Sequence, residues 1–299
     1  MPTAESPVSV IRPPAAESII HELTFPELRR RHEAVLFDAY GVLVNASGAL
    51  PGAGATIADM RRDGQPFLVV TNDASRSPRR AAERLSRLGI PVEPEHVLSS
   101  GMMVGPALQA HGLAEGRIVV LGTDDSAQYV RDIGATVVDP VPDDPADAVV
   151  IADEGSIDLI DSLDDILSMI LEAHHRGRMP RLILANPDLI YPSGVRRFGF
   201  TAGSFAHLVE KALHLLLHEE APTFEVLGKP SPVHFNAAIE LIGTRDVVML
   251  GDTLHTDIAG AQGVGIASAI VLTGVTTRAT ALAAREVVPT YLLEGLAQA

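Results

Sequence analysis

The sequence has no cysteine, only two lysines and no long apolar run, and each gap removes a class of chemistry. Without cysteine there are no disulfides, no thiolate zinc sites and no thiol nucleophile. No apolar stretch reaches the ~18 residues of a membrane-spanning helix, so no membrane partner is expected. Positive charge is scarce as well. A formal net charge of −15 over 299 residues argues against wholesale binding to nucleic acid or to an anionic membrane surface. The first twenty residues, "MPTAESPVSVIRPPAAESII", lack a basic patch leading into an apolar run. They read as an extended arm, 1–20, and not as a secretory signal, so a cytoplasmic protein is the expectation. Arginine carries nearly all the positive charge, which singles out Lys211 and Lys229.

What is present points to an α/β protein. Hydrophobic residues make up 46% of the chain, an ordinary share for a soluble protein that buries one large or two medium cores. Seven short apolar runs end in polar or glycine turns: "AVLF" before Asp38, "FLVV" before Thr71, "RIVVL" before Gly122, "DAVVIA" before Asp153, "RLILA" before Asn186, "VVML" before Gly251 and "AIVL" before Thr273. Continuous apolar strands without alternation suit a parallel sheet covered on both faces. Helical patterns lie between them. One runs from Ser77, expected as its cap, through Pro78 to Gly89; another covers 158–176 and stops at Gly177; a third covers 231–243 with the same Ser-Pro start and Gly stop. In folds of this alternating kind, chemistry sits at the carboxyl ends of the strands.

The residues following the strands share one chemistry. Asp38 offers a carboxylate nucleophile, Thr71-Asn72 a hydroxyl and an amide, Lys229 in "LGKP" a cation, and Asp252 with Asp257 in "GDTLHTDI" an acidic pair. Taken singly, each is a turn former or a helix cap. Taken together, they suit phosphoryl transfer: a carboxylate can form an aspartyl-phosphate, Mg²⁺ prefers carboxylate and phosphate oxygens, and lysine neutralises phosphoryl charge.

With these residues in hand, the chain resembles the haloacid dehalogenase-like (HAD) hydrolases, and within them the NagD-like branch. The resemblance rests on "FDAYGVL", "VVTNDASR", "LANPD", "GKPSP", "GDTLHTDIAGA" and "VLTGVT", and spans about residues 34–276. It implies a Rossmann-like parallel-sheet core with a mobile inserted α/β cap. It also implies that Asp38 is the nucleophile, and that Mg²⁺ is held by Asp38, the backbone carbonyl of Tyr40 and Asp252, with Asp257 completing the site. Thr71, Asn72 and Lys229 would bind the phosphoryl group of a small phosphorylated metabolite. The interval from Asp38 to Thr71 is too short for an insertion, whereas that from Thr71 to Lys229 exceeds what the core needs. The core is therefore expected at 21–106 and 223–299, and the cap at 107–222. "ANPDLIYPSG" is the cap stretch expected to face the site, with Asn186, Asp188 and Tyr191 as candidate substrate contacts. Caps in this branch often mediate dimers, so a homodimer through the cap is a further implication.

One position departs from the family's Asp-x-Asp pattern. Where the second aspartate protonates the leaving oxygen and activates water, this chain has Tyr40. A metal site that uses the backbone oxygen survives the change. Proton transfer does not, because a phenol is a poor base at neutral pH. His255, beside the acidic pair, is one residue that could substitute. "DAYG" also resembles the 2-haloacid dehalogenases, which displace halide without a metal, but those place a helical cap soon after the nucleophile and lack the acidic pair. The alternatives are thus a carbon–halogen hydrolase and a low-activity phosphate-binding regulatory protein.

Overall fold

A computed structural model describes residues 20–153, 155, 158–194 and 197–297, so all but the last residue of the expected arm 1–20 lies outside the described residues. The seven apolar runs all form strands, and they divide between two sheets. The first sheet has seven strands in the order His21–Glu22, Tyr291–Leu293, Ala267–Val271, Val247–Gly251, Ala34–Phe37, Phe67–Thr71 and Val97–Ser99, every neighbouring pair parallel. The second has five, again all parallel: Glu225–Val226, Arg181–Leu184, Ala148–Ile151, Arg117–Leu121 and Thr136–Val138. The second sheet is an insertion, since its strands fall in sequence between Val97–Ser99 and Val247–Gly251 of the first. It runs past the expected cap end at 222, because Glu225 and Val226 pair with Ile183 and Leu184.

Burial explains why the strands read as unbroken apolar runs. Alternate residues of a strand face opposite sides of the sheet. In the first sheet Leu36, Leu68, Val70, Leu98 and Met249 enter one apolar layer, while Val35, Phe37, Val69, Val248 and Leu250 enter the other. The second layer is closed by helices Ala53–Asp63 and Pro78–Arg87 through Ile57, Met60, Ala82 and Leu85. The first layer is closed by helix Pro232–Ile242 through Phe235, Ala238 and Ile239. It continues without a break through Val104 and Leu108 of helix Val104–Ala110 and Val130 of helix Asp124–Arg131 to Ile118, Ala148, Val150 and Ile183 of the inserted sheet. The far face of that sheet packs on helices Leu159–His175 and Ala202–Leu217.

One local expectation changes, and one stretch gains a form that the sequence did not specify. Ser77 is the N-cap residue of helix Pro78–Arg87, but its side chain makes no cap bond; its backbone N–H instead donates to Asp125 Oδ2 at 2.7 Å. The stretch "IYPSG" is one strand of an antiparallel hairpin, Ile190–Gly194 with Arg197–Phe200, whose Ile190, Phe198 and Phe200 are exposed. Strands such as His21–Glu22 and Thr136–Val138 were not anticipated. They are two or three residues long, and only their neighbours in space make them strands. No helix among the described residues is long and apolar enough to cross a membrane.

Candidate active site

The carboxyl ends of the core strands converge on one buried cation. Asp38 follows strand Ala34–Phe37, Thr71 ends its own strand, and Asp252 follows Val247–Gly251. Lys229 comes from the other side, just after Glu225–Val226 of the inserted sheet. Its Nζ donates to Asp38 Oδ1 at 2.6 Å and to Asp257 Oδ1 at 2.7 Å, and it is 2% exposed. Burial alone would lower the lysine's pKa, but the Asp257 and Asp38 carboxylates outweigh it and hold the ammonium charged.

The carboxylates outnumber the cation. Ligand oxygens of Asp38, Asp252 and Asp257 lie within 4.8 Å of one another. Burial pushes the Asp38 carboxyl well above the usual range; Lys229 opposes this, and Asp257 and Asp252 add to it. Burial, reinforced by Asp257, brings Asp252 up to about 6. Three buried carboxylates with one lysine leave negative charge uncompensated, and all the free donors are oxygens. That donor set fits a small, hard divalent cation such as Mg²⁺.

Backbone geometry presses these groups together. Gly41 has φ 81°, and a Cβ there would lie 2.3 Å from Asp252 Oδ2, so the glycine of "DAYG" lets the loop after Asp38 close against the acidic pair. Asp252 Oδ2 accepts from the Val275 amide at 2.8 Å and Oδ1 from Thr253 Oγ1 at 3.0 Å. The Thr253 amide donates to Asp257 Oδ2 at 3.2 Å.

The expected phosphoryl-binding residues have distinct surroundings. Thr71 is buried, and its Oγ1 accepts the Asp73 amide at 3.2 Å, which leaves its O–H to donate. Asn72 braces the lysine: Oδ1 accepts from Lys229 N at 2.7 Å, and Nδ2 donates to Lys229 O at 3.0 Å and to Asp188 Oδ1 at 3.1 Å. Thus Asp188 of the inserted unit reaches the core site, and burial raises its pKa against the pull of Lys229 and Asn72. Gly228 makes this approach feasible, since a Cβ there would meet Ala185 O at 2.6 Å and Asn72 Oδ1 at 2.7 Å. Asn186 is a turn brace, accepting from Asp188 N and donating to Thr201 Oγ1. Tyr191 lies on the hairpin, its ring against Gly199. His255 is exposed, near enough for its charge to act on Asp188.

Tyr40 is half-buried. Its hydroxyl accepts from Arg84 Nη2 at 2.9 Å, and the Arg84 guanidinium carbon sits 5.4 Å from the ring centroid. Arg84 was not among the residues expected from sequence, nor were Ser100, whose Oγ donates to Asn72 O at 2.8 Å, or Gly228. Of these, only Gly228 sits inside a recognised stretch, "LGKP".

A family model described as haloacid dehalogenase-like hydrolase matches residues 35–136, and a second HAD-hydrolase-like model matches 226–299. The chain is 31% identical over 282 residues to chronophin of Homo sapiens, covering 89% of this chain and 92% of that protein. The chain belongs to the haloacid dehalogenase-like hydrolases. Its relatives place it in their NagD-like branch. It is 26% identical to an acid sugar phosphatase of Staphylococcus haemolyticus, over 89% of this chain and 95% of that one. It also superposes on a glycerol phosphate phosphatase of Mycobacterium tuberculosis solved with magnesium, with a TM-score of 0.78 and 28% identity over 92% of this chain and 78% of that chain.

One buried group near the site makes the stability of this hydrolase depend on pH. His234 is fully buried, its Nε2 lies 3.3 Å from Leu98 O, and its Nδ1 has no partner among the described residues. Burial, with Lys229 adding to it, lowers its pKa to about 3. The unfolded chain therefore binds this proton first, and stability is lost as pH falls below ~6.5, by up to ~1.4 kcal/mol per pH unit, until the folded group titrates. Urea unfolding of the parent and of His234→Gln at pH 7 and pH 5 checks this. The parent should lose more stability than the variant over that interval; equal losses would refute the assignment.

Proposed function

We propose that this hydrolase is a Mg²⁺-dependent phosphatase that acts on a small phosphorylated metabolite through an aspartyl-phosphate on Asp38. The observation that carries this reading is the buried Lys229 bridging Asp38 and Asp257 beside Asp252. Asp38, Asp252 and the backbone carbonyl of Tyr40 would hold the ion, and Asp257 would complete the site. When bound, Mg²⁺ supplies positive charge to the phosphoryl oxygens.

The protein's own residues account for the rest. Lys229 keeps one Asp38 oxygen oriented while the carboxylate attacks phosphorus, and its charge stabilises the negative charge on the transferring group. The Thr71 hydroxyl donates to a phosphoryl oxygen. The bond from phosphorus to the leaving oxygen breaks, and that oxygen takes up a proton or departs as an anion. Water then attacks phosphorus, freeing inorganic phosphate and restoring the Asp38 carboxylate. The Tyr40 hydroxyl, engaged by Arg84, is not a carboxylic acid aimed at the leaving oxygen, so departure depends on the leaving group.

The inserted unit, expected at 107–222, serves in this reading as a cap that brings Asp188 to the site and selects the substrate. Relatives described as sugar and glycerol phosphate phosphatases favour a small sugar or polyol phosphate. The reading also assigns the enzyme to the cytoplasm. Phe198 and Phe200, 63% and 69% exposed on the hairpin, suit a homodimer through the cap. Light scattering should give a dimer for the parent and a monomer for Phe198→Glu/Phe200→Glu; a monomeric parent would contradict it. A second reading, carbon–halogen hydrolysis by Asp38, is favoured by Tyr40 alone and predicts halide release from 2-haloacids without added metal.

Phosphate release with Mg²⁺ should be faster from p-nitrophenyl phosphate than from a simple alkyl phosphate by roughly 10²-fold, the low end of what general acid catalysis is worth. Tyr40→Asp should raise alkyl phosphate turnover by about tenfold or more and narrow that gap. Equal parental rates on the two substrates would sink the leaving-group argument, and no gain in the variant would mean that another group already supplies the proton.

A further inference from the structure

Side chains of the inserted unit hold four backbone groups of the loop that follows Thr71: three carbonyls and one amide. Thr123 Oγ1 donates to Ser75 O at 2.7 Å, Ser126 Oγ to Ala74 O at 2.9 Å, and Tyr129 Oη to Arg76 O at 2.8 Å. Asp125 Oδ2 accepts the Ser77 amide at 2.7 Å, while its Oδ1 accepts from Arg80 Nη1 at 3.0 Å. All four residues belong to helix Asp124–Arg131 or its N-cap, Thr123. From the core, Ser100 Oγ donates to a further carbonyl of the loop, Asn72 O. Ser99 Oγ lies 2.9 Å from Tyr129 Oη, so Tyr129 links the end of strand Val97–Ser99 to the loop. Within the loop, Asp73 gathers the Ser75 amide and hydroxyl and the Arg76 guanidinium.

The helix has little room to shift. A Cβ on Gly101 would lie 2.3 Å from the Tyr129 ring, and one on Gly105 2.9 Å from Ile133. Ser126 is 1% exposed, so its bond to the loop is made away from water. A loop carbonyl buried without a donor would be costly, so each of these bonds fixes the backbone where it stands. That backbone leads directly from Thr71 and Asn72, the groups assigned to the phosphoryl oxygens and to Lys229.

We infer that Asp125 and Tyr129 are positioning residues for the phosphoryl-binding segment Thr71–Asn72: the inserted unit sets the geometry of the core's phosphate site as well as covering it. This rests on the phosphatase reading above and deepens it. A cap that swings freely would have to give up five hydrogen bonds to the loop and to Arg80 each time it opened, so this edge of the unit behaves as a fixed hinge. Substrate selection and phosphoryl positioning are thereby coupled through one helix.

The test compares Tyr129→Phe and Asp125→Asn with the parent. Tyr291→Phe is the control; it removes another buried hydroxyl, one that lies 3.3 Å from His32 Nε2 at the first residue of its strand, the sheet end opposite the site. Three readouts are taken: kcat on p-nitrophenyl phosphate, the inhibition constant of inorganic phosphate, and deuterium exchange of amides 72–77. In Tyr129→Phe and Asp125→Asn, kcat should fall about tenfold and the phosphate inhibition constant should rise about tenfold, within the range that misplacement costs. Exchange at 72–77 should quicken, and Tyr291→Phe should match the parent in all three. Parental kinetics and exchange in both variants would overturn the inference, as would a loss of activity equal to that of Tyr291→Phe. If the parent released no phosphate from any phosphomonoester, the phosphatase reading would fall, and the exchange measurement would still decide whether the helix holds the loop.

Discussion

The structure turns on the two ion pairs of Lys229. Taking an ammonium and three carboxylates out of water is expensive, and the expense is bearable only if the charges meet at hydrogen-bond distance. They do so with Asp38 and Asp257, while Asp252 is held by the Val275 amide and Thr253. The remaining negative charge is the physical reason the site suits a divalent cation and a phosphoryl group, whose charges would complete it. A lysine in a chain with only one other is here the counter-ion shared by Asp38 and Asp257.

The same lysine joins the two sheets. Its backbone is clasped on both sides by the Asn72 amide, and Asn72 in turn bonds Asp188 of the inserted unit. Gly228 permits that approach, and the hydroxyls of helix Asp124–Arg131 hold the loop beyond Asn72. Core and insertion therefore share one apolar layer and one polar network. Neither sheet forms the site alone: the first brings Asp38, Thr71 and Asp252, and the second brings Lys229 and Asp188 from its strand ends.

Much of this was legible in the sequence because the groups punctuate strands. Asp38, Thr71 and Asp252 each close an apolar run, and a run buried on both faces is hard to mistake for anything but a parallel strand. Helix Pro232–Ile242 announced itself by Ser231, Pro232 and Gly243. What was hidden lies in contacts between distant segments. Arg84 meets Tyr40 across 44 positions, and Tyr129 meets Arg76 across 53, with no local signal at either end. Asn72 holds the Lys229 backbone and the Asp188 carboxylate, and Asn186 holds the Asp188 amide and the Thr201 hydroxyl, partners that only the fold brings together. The edge strands escaped notice because their pairing, and not their composition, makes them strands.

Tyr40 is the point at which geometry and family pattern diverge. Its phenol meets the guanidinium of Arg84, while the Asp38 carboxylate two residues earlier is bonded by Lys229. In the proposed reaction Asp38 forms the bond to phosphorus, and proton supply falls to the leaving group and solvent. Trapping the covalent intermediate tests this most directly. Enzyme turning over p-nitrophenyl phosphate with Mg²⁺ is quenched with borohydride, which reduces an aspartyl-phosphate but leaves a free carboxylate intact, and is then digested and analysed by mass spectrometry. The account predicts reduction at Asp38, in the peptide carrying "AVLFDAYGVLVN", and nowhere else. Turnover with an unmodified Asp38, or with reduction at another carboxylate, would contradict it.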